Sequence, residues 1–271
     1  MKVEKLILCV SLFITIVILT LVTSSVYYLT INRNRIYDLA KEVMSYGIRN
    51  DVEQHDKITK VEFDGDTIWK YTPTIIDTKR VIFMVPGGAF LTCQPNVDTL
   101  EKLNLPYVTY IITYPVLPSS FNDALNATIK AFTHLQKMVT GKITVLSISA
   151  GSLLSVLTIN RVVGTFEKLV TVSGYFGYAS ISDYLVKFAD LFWLRGPLSR
   201  PINAEPISPD VKLLVLASLD DKRLGESSEF FAKLNTTQVN WFSGGHDFWN
   251  LQDLPDTKLA YALVTNFIQH D

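Results

Sequence analysis

Short apolar segments alternate with amphipathic segments from Arg80 to the end of the chain, and this alternation limits the possible folds more than any other feature. The apolar segments have the length and β-branched content of buried strands, and the segments between them have apolar residues at helical spacing. The predicted strands are 81–85, 107–112, 143–146, 168–172, 212–217 and 238–242, and the clearest predicted helices are 122–138, 228–234 and 258–268. Two shorter strands are predicted within 57–74. This pattern predicts the α/β class, with a mainly parallel sheet and helices on both faces.

A serine turn follows the predicted strand 143–146. The segment Ser147-Ile148-Ser149-Ala150-Gly151 leads directly into a predicted helix. A buried strand, a sharp turn at a serine and a helix are typical of a nucleophile elbow, in which the serine hydroxyl projects from the carboxyl end of the sheet. We therefore interpret Ser149 as a candidate nucleophile, although this segment alone is also compatible with an ordinary turn.

A serine nucleophile needs a base to remove its proton and an acid to orient that base. In enzymes with a nucleophile elbow the chain order is serine, acid, histidine. Asp220 follows the predicted strand 212–217, and His246 follows the last predicted strand after two glycines. The predicted triad is Ser149, Asp220 and His246, with Asp221 as the alternative acid.

A glycine pair follows the predicted strand 81–85, in the segment Pro86-Gly87-Gly88-Ala89-Phe90. Backbone N–H groups that point at a developing oxyanion contribute about 10²–10³ in rate per donor. We expect Gly87, Gly88 and Ala150 to supply such donors, because glycines let the backbone turn its amides towards a substrate without obstruction.

The N-terminal segment predicts a membrane anchor. Residues 6–32 contain no charged side chain and as a helix would reach about 40 Å, beyond the roughly 30 Å of a hydrocarbon core. The apolar run exceeds that of a signal peptide, so we predict an uncleaved signal anchor over 1–32 and a catalytic domain over 33–271. Basic residues flank the span almost evenly, but sequons at Asn126 and Asn235 favour a lumenal catalytic domain carrying N-glycans.

The remaining features limit ligands and partners. The interruption at 175–210 contains an aromatic-rich amphipathic segment, which predicts either a helix on the sheet edge or a short cap over the site. The net charge of −1 offers no basic face for nucleic acid. Cys9 and Cys93 lack the neighbours of a metal site. We expect no metal and no cofactor, and the oligomeric state stays open.

From about Arg80 onward, the chain resembles the hormone-sensitive-lipase-like branch of the α/β-hydrolase superfamily. The resemblance is carried by segments 86–90, 114–118, 147–151, 217–220 and 246–248. It implies the α/β-hydrolase fold and a serine carboxylic ester hydrolase that uses no cofactor. With its predicted anchor, the chain is most similar to the fungal steryl acetyl hydrolases. This implies an endoplasmic-reticulum membrane enzyme of lipid metabolism that removes short acyl groups, such as acetyl, from a hydrophobic alcohol such as a sterol.

The chain departs from that family at three positions. Pro86 replaces the family's histidine, and Ser147 and Ser152 replace glycines beside the elbow. The serines put efficiency in question more than reaction type. Two other hypotheses stay open: a hydrolase-fold protein that binds a lipophilic ligand or partner with little or no catalysis, and a thioesterase or lipase with the same triad.

Overall fold

The strands in the described part of the chain form one eight-stranded sheet. The computed structural model describes residues 55–63, 66–88, 93, 97–116, 119–164, 166–177, 204–221, 224–246, 248–250 and 254–270. These residues belong to a compact unit over Ile48–Asp271. The predicted anchor and most of the predicted cap lie outside the described residues. Within the described ranges, no helix combines the length and the apolar character needed to cross a bilayer.

The sheet is mainly parallel, as predicted. Its strands are β1 Ile58–Phe63, β2 Asp66–Tyr71, β3 Arg80–Val85, β4 Thr109–Ile112, β5 Lys142–Ile148, β6 Phe166–Val172, β7 Lys212–Ser218 and β8 Val239–Phe242. The spatial order is β1-β2-β4-β3-β5-β6-β7-β8, and β2 pairs antiparallel with both β1 and β4 while the other pairs are parallel. The carboxyl ends of β3 and of β5 to β8 therefore meet at one end of the sheet.

Helices cover both faces of the sheet, which confirms the predicted layering. They are α1 Val97–Leu103, α2 Phe121–Met138, α3 Gly151–Ile159, α4 Gly225–Leu234 and α5 Pro255–Gln269. Buried residues of α2, α3 and α4 share one core with Val81, Phe83 and Val85 of β3. Buried residues of α1 and α5 share the other core with Ile82 and Met84. Helix α1 was not predicted from the sequence pattern.

A buried lysine joins β6 to the end of α5. Lys168 is fully buried, and its ammonium group donates hydrogen bonds to the backbone carbonyls of Phe267, Ile268 and His270. The last carbonyls of a helix have no partner within the helix and carry partial negative charge. The lysine therefore supplies both the donors and the charge that this helix end needs.

The start of α3 packs closely against the end of β3, and Gly151 makes this contact possible. A methyl group on Gly151 would clash with the carbonyl of Val85 and lie only 2.6 Å from the carbonyl oxygen of Pro86. Both clashing atoms belong to the backbone, so no side chain can move to relieve the overlap. Only a glycine at this position permits the close approach of α3 to β3.

We expect Lys168→Met to lower the free energy of unfolding by about 2 kcal/mol, because it leaves buried helix carbonyls without a charged donor. Lys258→Met is the matched control, since Lys258 lies on the exposed side of the same helix. Urea denaturation of both variants measures the difference. Equal stability of the two variants would contradict the role assigned to Lys168.

We expect Gly151→Ala to lower the free energy of unfolding by about 1–3 kcal/mol, since the added methyl group forces α3 away from β3. Gly225→Ala is the control at the first residue of α4, where the nearest atom would be 3.7 Å from the new methyl group. Thermal denaturation should show a clear loss for Gly151→Ala and little change for Gly225→Ala.

Candidate active site

Ser149 lies in a strained turn at the carboxyl end of β5. Its φ of 49° is left-handed, a conformation that costs a residue with a side chain roughly 1–2 kcal/mol. Neighbouring backbone holds it there: the N–H of Ser149 donates to the Val172 carbonyl at 2.9 Å, and the Ser149 carbonyl accepts from the Tyr175 N–H at 3.0 Å. The strand–serine–helix geometry is that of the predicted elbow.

The imidazole of His246 bridges the serine and a carboxylate. Its Nε2 lies 3.1 Å from the Ser149 Oγ, and its Nδ1 lies 2.9 Å from Oδ2 of Asp221. An ionised carboxylate can only accept, so this contact assigns the ring proton to Nδ1 and leaves Nε2 free to accept the serine proton. The Asp221 side chain is 1% exposed and the His246 side chain 20%, so the acid is shielded while the base stays accessible.

The prediction that Asp220 orients the histidine is wrong, and the alternative acid Asp221 occupies that place. The turn after β7 closes with a hydrogen bond from the Asp221 N–H to the Ser218 carbonyl, which directs the Asp221 side chain inward. Its Oδ1 then accepts from the Leu224 N–H at 3.0 Å, at the start of α4. Asp220 is exposed, and its Oδ2 accepts from the Gly244 N–H at 3.3 Å instead.

Side chains from other elements hold every residue of the histidine loop, Ser243–His246. Gly244 and Gly245 have φ values of 112° and 72°, which favour glycine. The hydrogen bonds join Asp256 Oδ2 to the N–H and hydroxyl of Ser243 (2.8 and 2.6 Å), Asp220 Oδ2 to the Gly244 N–H, Ser218 Oγ to the Gly245 N–H (3.0 Å), and Ser173 Oγ to the His246 carbonyl (3.0 Å). The hydroxyl and N–H of Ser243 lower the pKa of Asp256, which keeps that carboxylate ionised as an acceptor.

Two of the predicted oxyanion donors, Gly87 and Ala150, adjoin the serine in space and in sequence, respectively. A methyl group on Gly87 would lie 2.9 Å from the Ser149 Cβ, so the Gly87 backbone runs directly against the candidate nucleophile. Gly88 has a φ of 124°, and Ala150 follows Ser149 at the start of α3. Within the described part of the chain, the N–H groups of Gly87, Gly88 and Ala150 form none of the backbone hydrogen bonds seen in turns, loops and helix caps. Ala89 and Phe90 lie outside the described residues.

A buried tyrosine in the family segment 114–118, for which no role was predicted, supports the glycine loop. The hydroxyl of Tyr114 donates to the Pro86 carbonyl at 3.1 Å, and its N–H donates to the Sγ of Cys93. Burial raises the pKa of Tyr114 well above its usual value, so the hydroxyl keeps its proton and remains a donor. Burial also raises the pKa of Cys93 to about 12. This thiol therefore does not compete with Ser149 as a nucleophile near neutral pH.

Two other histidines and the two sequon asparagines are not part of this site. His134 stacks on Phe63, and His55 lies beside two carboxylates near β1. Of the two sequon asparagines, Asn126 is exposed on α2, whereas the Asn235 amide already bonds to two backbone groups. No cluster of three or more His, Cys, Asp or Glu residues in the described ranges is arranged to hold a metal ion.

Several solved structures with a similar fold carry the names of esterases and lipases. An esterase/lipase from an uncultured bacterium aligns with a TM-score of 0.68 at 14% identity, covering 86% of this chain and 90% of its own. EstE5, soaked with p-nitrophenyl butyrate, aligns with a TM-score of 0.67 at 14% identity, and the alignment covers 86% of this chain and 90% of EstE5. A hormone-sensitive lipase from a metagenome library aligns with a TM-score of 0.65 at 11% identity, and the alignment covers 87% of this chain and 97% of the lipase. No protein-family model matches the sequence, and no curated protein matches it significantly. At these identities the likeness establishes the fold, and the chain has the α/β-hydrolase fold of these enzymes.

Proposed function

We propose that this chain is a serine hydrolase that cleaves carboxylic esters. The observation that carries the proposal is the unbroken series of hydrogen bonds from Asp221 through His246 to Ser149. It ends at a serine whose strained turn lies against the glycine loop. A nucleophile, its base, an orienting acid and oxyanion donors are the four parts that acyl transfer requires.

The first half of the reaction transfers the acyl group to the enzyme. The Ser149 Oγ attacks the ester carbonyl carbon while Nε2 of His246 takes the hydroxyl proton. The carbonyl oxygen becomes an oxyanion, which the N–H groups of Gly87, Gly88 and Ala150 bind. Asp221 holds the Nδ1 proton and stabilises the imidazolium. When the intermediate collapses, Nε2 returns the proton to the departing alcohol oxygen and an acyl-serine remains.

The second half releases the acid. A water molecule enters beside His246, whose side chain is 20% exposed, and attacks the acyl-serine carbonyl as Nε2 takes a water proton. The same N–H groups bind the second oxyanion. Its collapse breaks the bond to the Ser149 Oγ, which recovers the proton from Nε2, and the carboxylic acid leaves. The histidine ends with the proton count at which it began.

For the substrate, we propose a short-chain ester, such as an acetate, of a hydrophobic alcohol such as a sterol. For the location, we propose a single-pass protein of the endoplasmic reticulum whose catalytic domain is lumenal. The resemblance to steryl acetyl hydrolases and the uncharged stretch over residues 6–32 support these proposals. The exposed Asn126 sequon supports the lumenal side. Protease protection in microsomes, with a glycosidase shift that disappears in Asn126→Gln, tests the location.

We expect a fluorophosphonate probe to label the wild-type chain and not Ser149→Ala, because only an activated serine forms the covalent adduct. Hydrolysis of p-nitrophenyl acetate should disappear in the same variant. Ser155→Ala, a buried serine further along α3, is the control for folding and nonspecific labelling. A folded wild type that takes no label would contradict the proposal and favour a ligand-binding protein on a hydrolase fold.

We expect Asp221→Asn to lower kcat by about 10⁴, because the amide stabilises the wrong histidine tautomer. Asp220→Asn should retain activity within about tenfold, since an amide oxygen can still accept from the Gly244 N–H. Steady-state hydrolysis of the same acetate measures both variants. Similar losses at the two positions would contradict the separation of roles between these adjacent acids.

A further inference from the structure

We propose that Tyr114 is a positioning residue for the oxyanion donors. Its hydroxyl orients the peptide that joins Pro86 to Gly87 and thereby sets the direction of the Gly87 N–H. Tyr114 acts in this way through the glycine loop and not on the substrate itself. The proposal deepens the proposed ester hydrolysis and rests on it.

Tyr114 holds the segment that contains the glycine pair at two points. It follows β4, which is the parallel neighbour of β3, so it lies at the end of the sheet where the glycine loop begins. Its hydroxyl donates to the Pro86 carbonyl at 3.1 Å, and its backbone N–H donates to the Sγ of Cys93 at 3.3 Å. Pro86 directly precedes the glycine pair and Cys93 follows it. One residue therefore contacts the chain on both sides of the candidate oxyanion donors.

The hydroxyl contact fixes the direction of an N–H group that it does not touch. The peptide bond between Pro86 and Gly87 precedes a glycine, and such bonds are planar and trans. The carbonyl of Pro86 and the N–H of Gly87 belong to this one plane and point in opposite directions. A donor that holds the carbonyl therefore also sets the direction of the N–H.

The direction of this N–H matters because the Gly87 backbone lies directly against the candidate nucleophile. A methyl group on Gly87 would lie 2.9 Å from the Ser149 Cβ and 3.1 Å from the Ile148 carbonyl oxygen. Glycine offers little resistance of its own to rotation of the adjoining peptide. A rotated peptide would present its carbonyl oxygen where the N–H should be, and that oxygen would repel a developing oxyanion instead of stabilising it.

Burial makes the tyrosine hydroxyl difficult to replace. Tyr114 is 4% exposed and Pro86 is also buried, so bulk water is kept from this carbonyl. The Pro86 carbonyl oxygen also lies close to the start of α3, since a methyl group on Gly151 would be only 2.6 Å from it. A buried carbonyl that loses its donor carries a desolvation penalty, which favours rotation of the peptide towards another partner.

The test removes the hydroxyl and keeps the ring. Tyr114→Phe preserves the packing of the side chain in its core, so only the hydrogen bond to Pro86 is lost. Tyr261→Phe is the matched control: its hydroxyl also donates to a backbone carbonyl, that of Trp249 at 3.2 Å, but its ring packs against the other core. Steady-state hydrolysis of p-nitrophenyl acetate by the full chain gives kcat and KM, and thermal denaturation confirms folding.

A trifluoromethyl ketone inhibitor supplies a second readout that reports on the oxyanion itself. The Ser149 Oγ adds to the ketone carbon while its proton passes to Nε2 of His246. The electron pair of the broken carbonyl π bond stays on the oxygen, which becomes an oxyanion in the place that it occupies during ester hydrolysis. The affinity for this inhibitor therefore depends on the same N–H groups as the transition state.

We expect Tyr114→Phe to lower kcat by about 10–10² and to leave KM within about threefold, because an oxyanion contact is made mainly in the transition state. The affinity for the ketone should fall by a similar factor, about 10–10². Tyr261→Phe should leave all three quantities within about twofold. Cys93→Ala, which releases the other contact of Tyr114, should lower kcat by about threefold at unchanged KM.

An unchanged kcat in folded Tyr114→Phe, or in Cys93→Ala where Tyr114→Phe does not fold, would overturn the role of Tyr114. Equal losses in the two phenylalanine variants would also count against it, since they would reflect only the loss of a buried hydroxyl. Failure of the proposed function is distinguishable from both results, because the folded wild type would then hydrolyse no ester, and the role of Tyr114 would be rejected with it.

Discussion

The left-handed backbone at Ser149 is the constraint on which the rest of the site depends. A residue with a side chain adopts this conformation only when its surroundings enforce it. Here the end of β6 enforces it through Val172 and Tyr175, and the absence of a side chain at Gly151 lets α3 begin directly against the end of β3. The strain fixes the serine hydroxyl between the glycine loop and the histidine. Contacts from strands β3, β5 and β6 therefore together fix the position of the Ser149 Oγ.

A second serine with left-handed backbone lies at the end of the neighbouring strand. Ser173, just after β6, is fully buried and also left-handed, with a φ of 47°. Its hydroxyl donates to the carbonyl of His246, so one strained serine presents the candidate nucleophile and another holds the base that activates it. With Asp256, Asp220 and Ser218 on the other backbone groups, the histidine loop has little freedom to move away from Ser149. The short Ser149–His246 distance is therefore a property of the fold.

The sequence predicted the sheet, its layers and the serine and histidine, because these follow from long apolar runs and from turns at strand ends. It did not separate Asp220 from Asp221, since both follow the same strand. The hydrogen bonds of the turn after β7 decide which of these two carboxylates points inward. It also gave no role to Ser173, Ser218 or Asp256, because single polar residues at the ends of strands and helices have no periodicity. Such residues gain a role only when the fold brings these ends together.

Two serines replace family glycines beside the elbow, and their hydroxyl groups form a hydrogen-bonded pair. Ser147 and Ser152 are both fully buried, and their hydroxyl oxygens lie 3.3 Å apart across the elbow. Ser147 also bonds to the Val170 carbonyl at 3.2 Å, so neither hydroxyl lacks a partner. Ser152 without Ser147 would bury a hydroxyl that has lost this partner, at a cost of about 1–3 kcal/mol. Together they add a hydrogen-bonded link between β5, β6 and α3 beneath Ser149. The two serines that replace family glycines therefore stabilise the turn that carries Ser149.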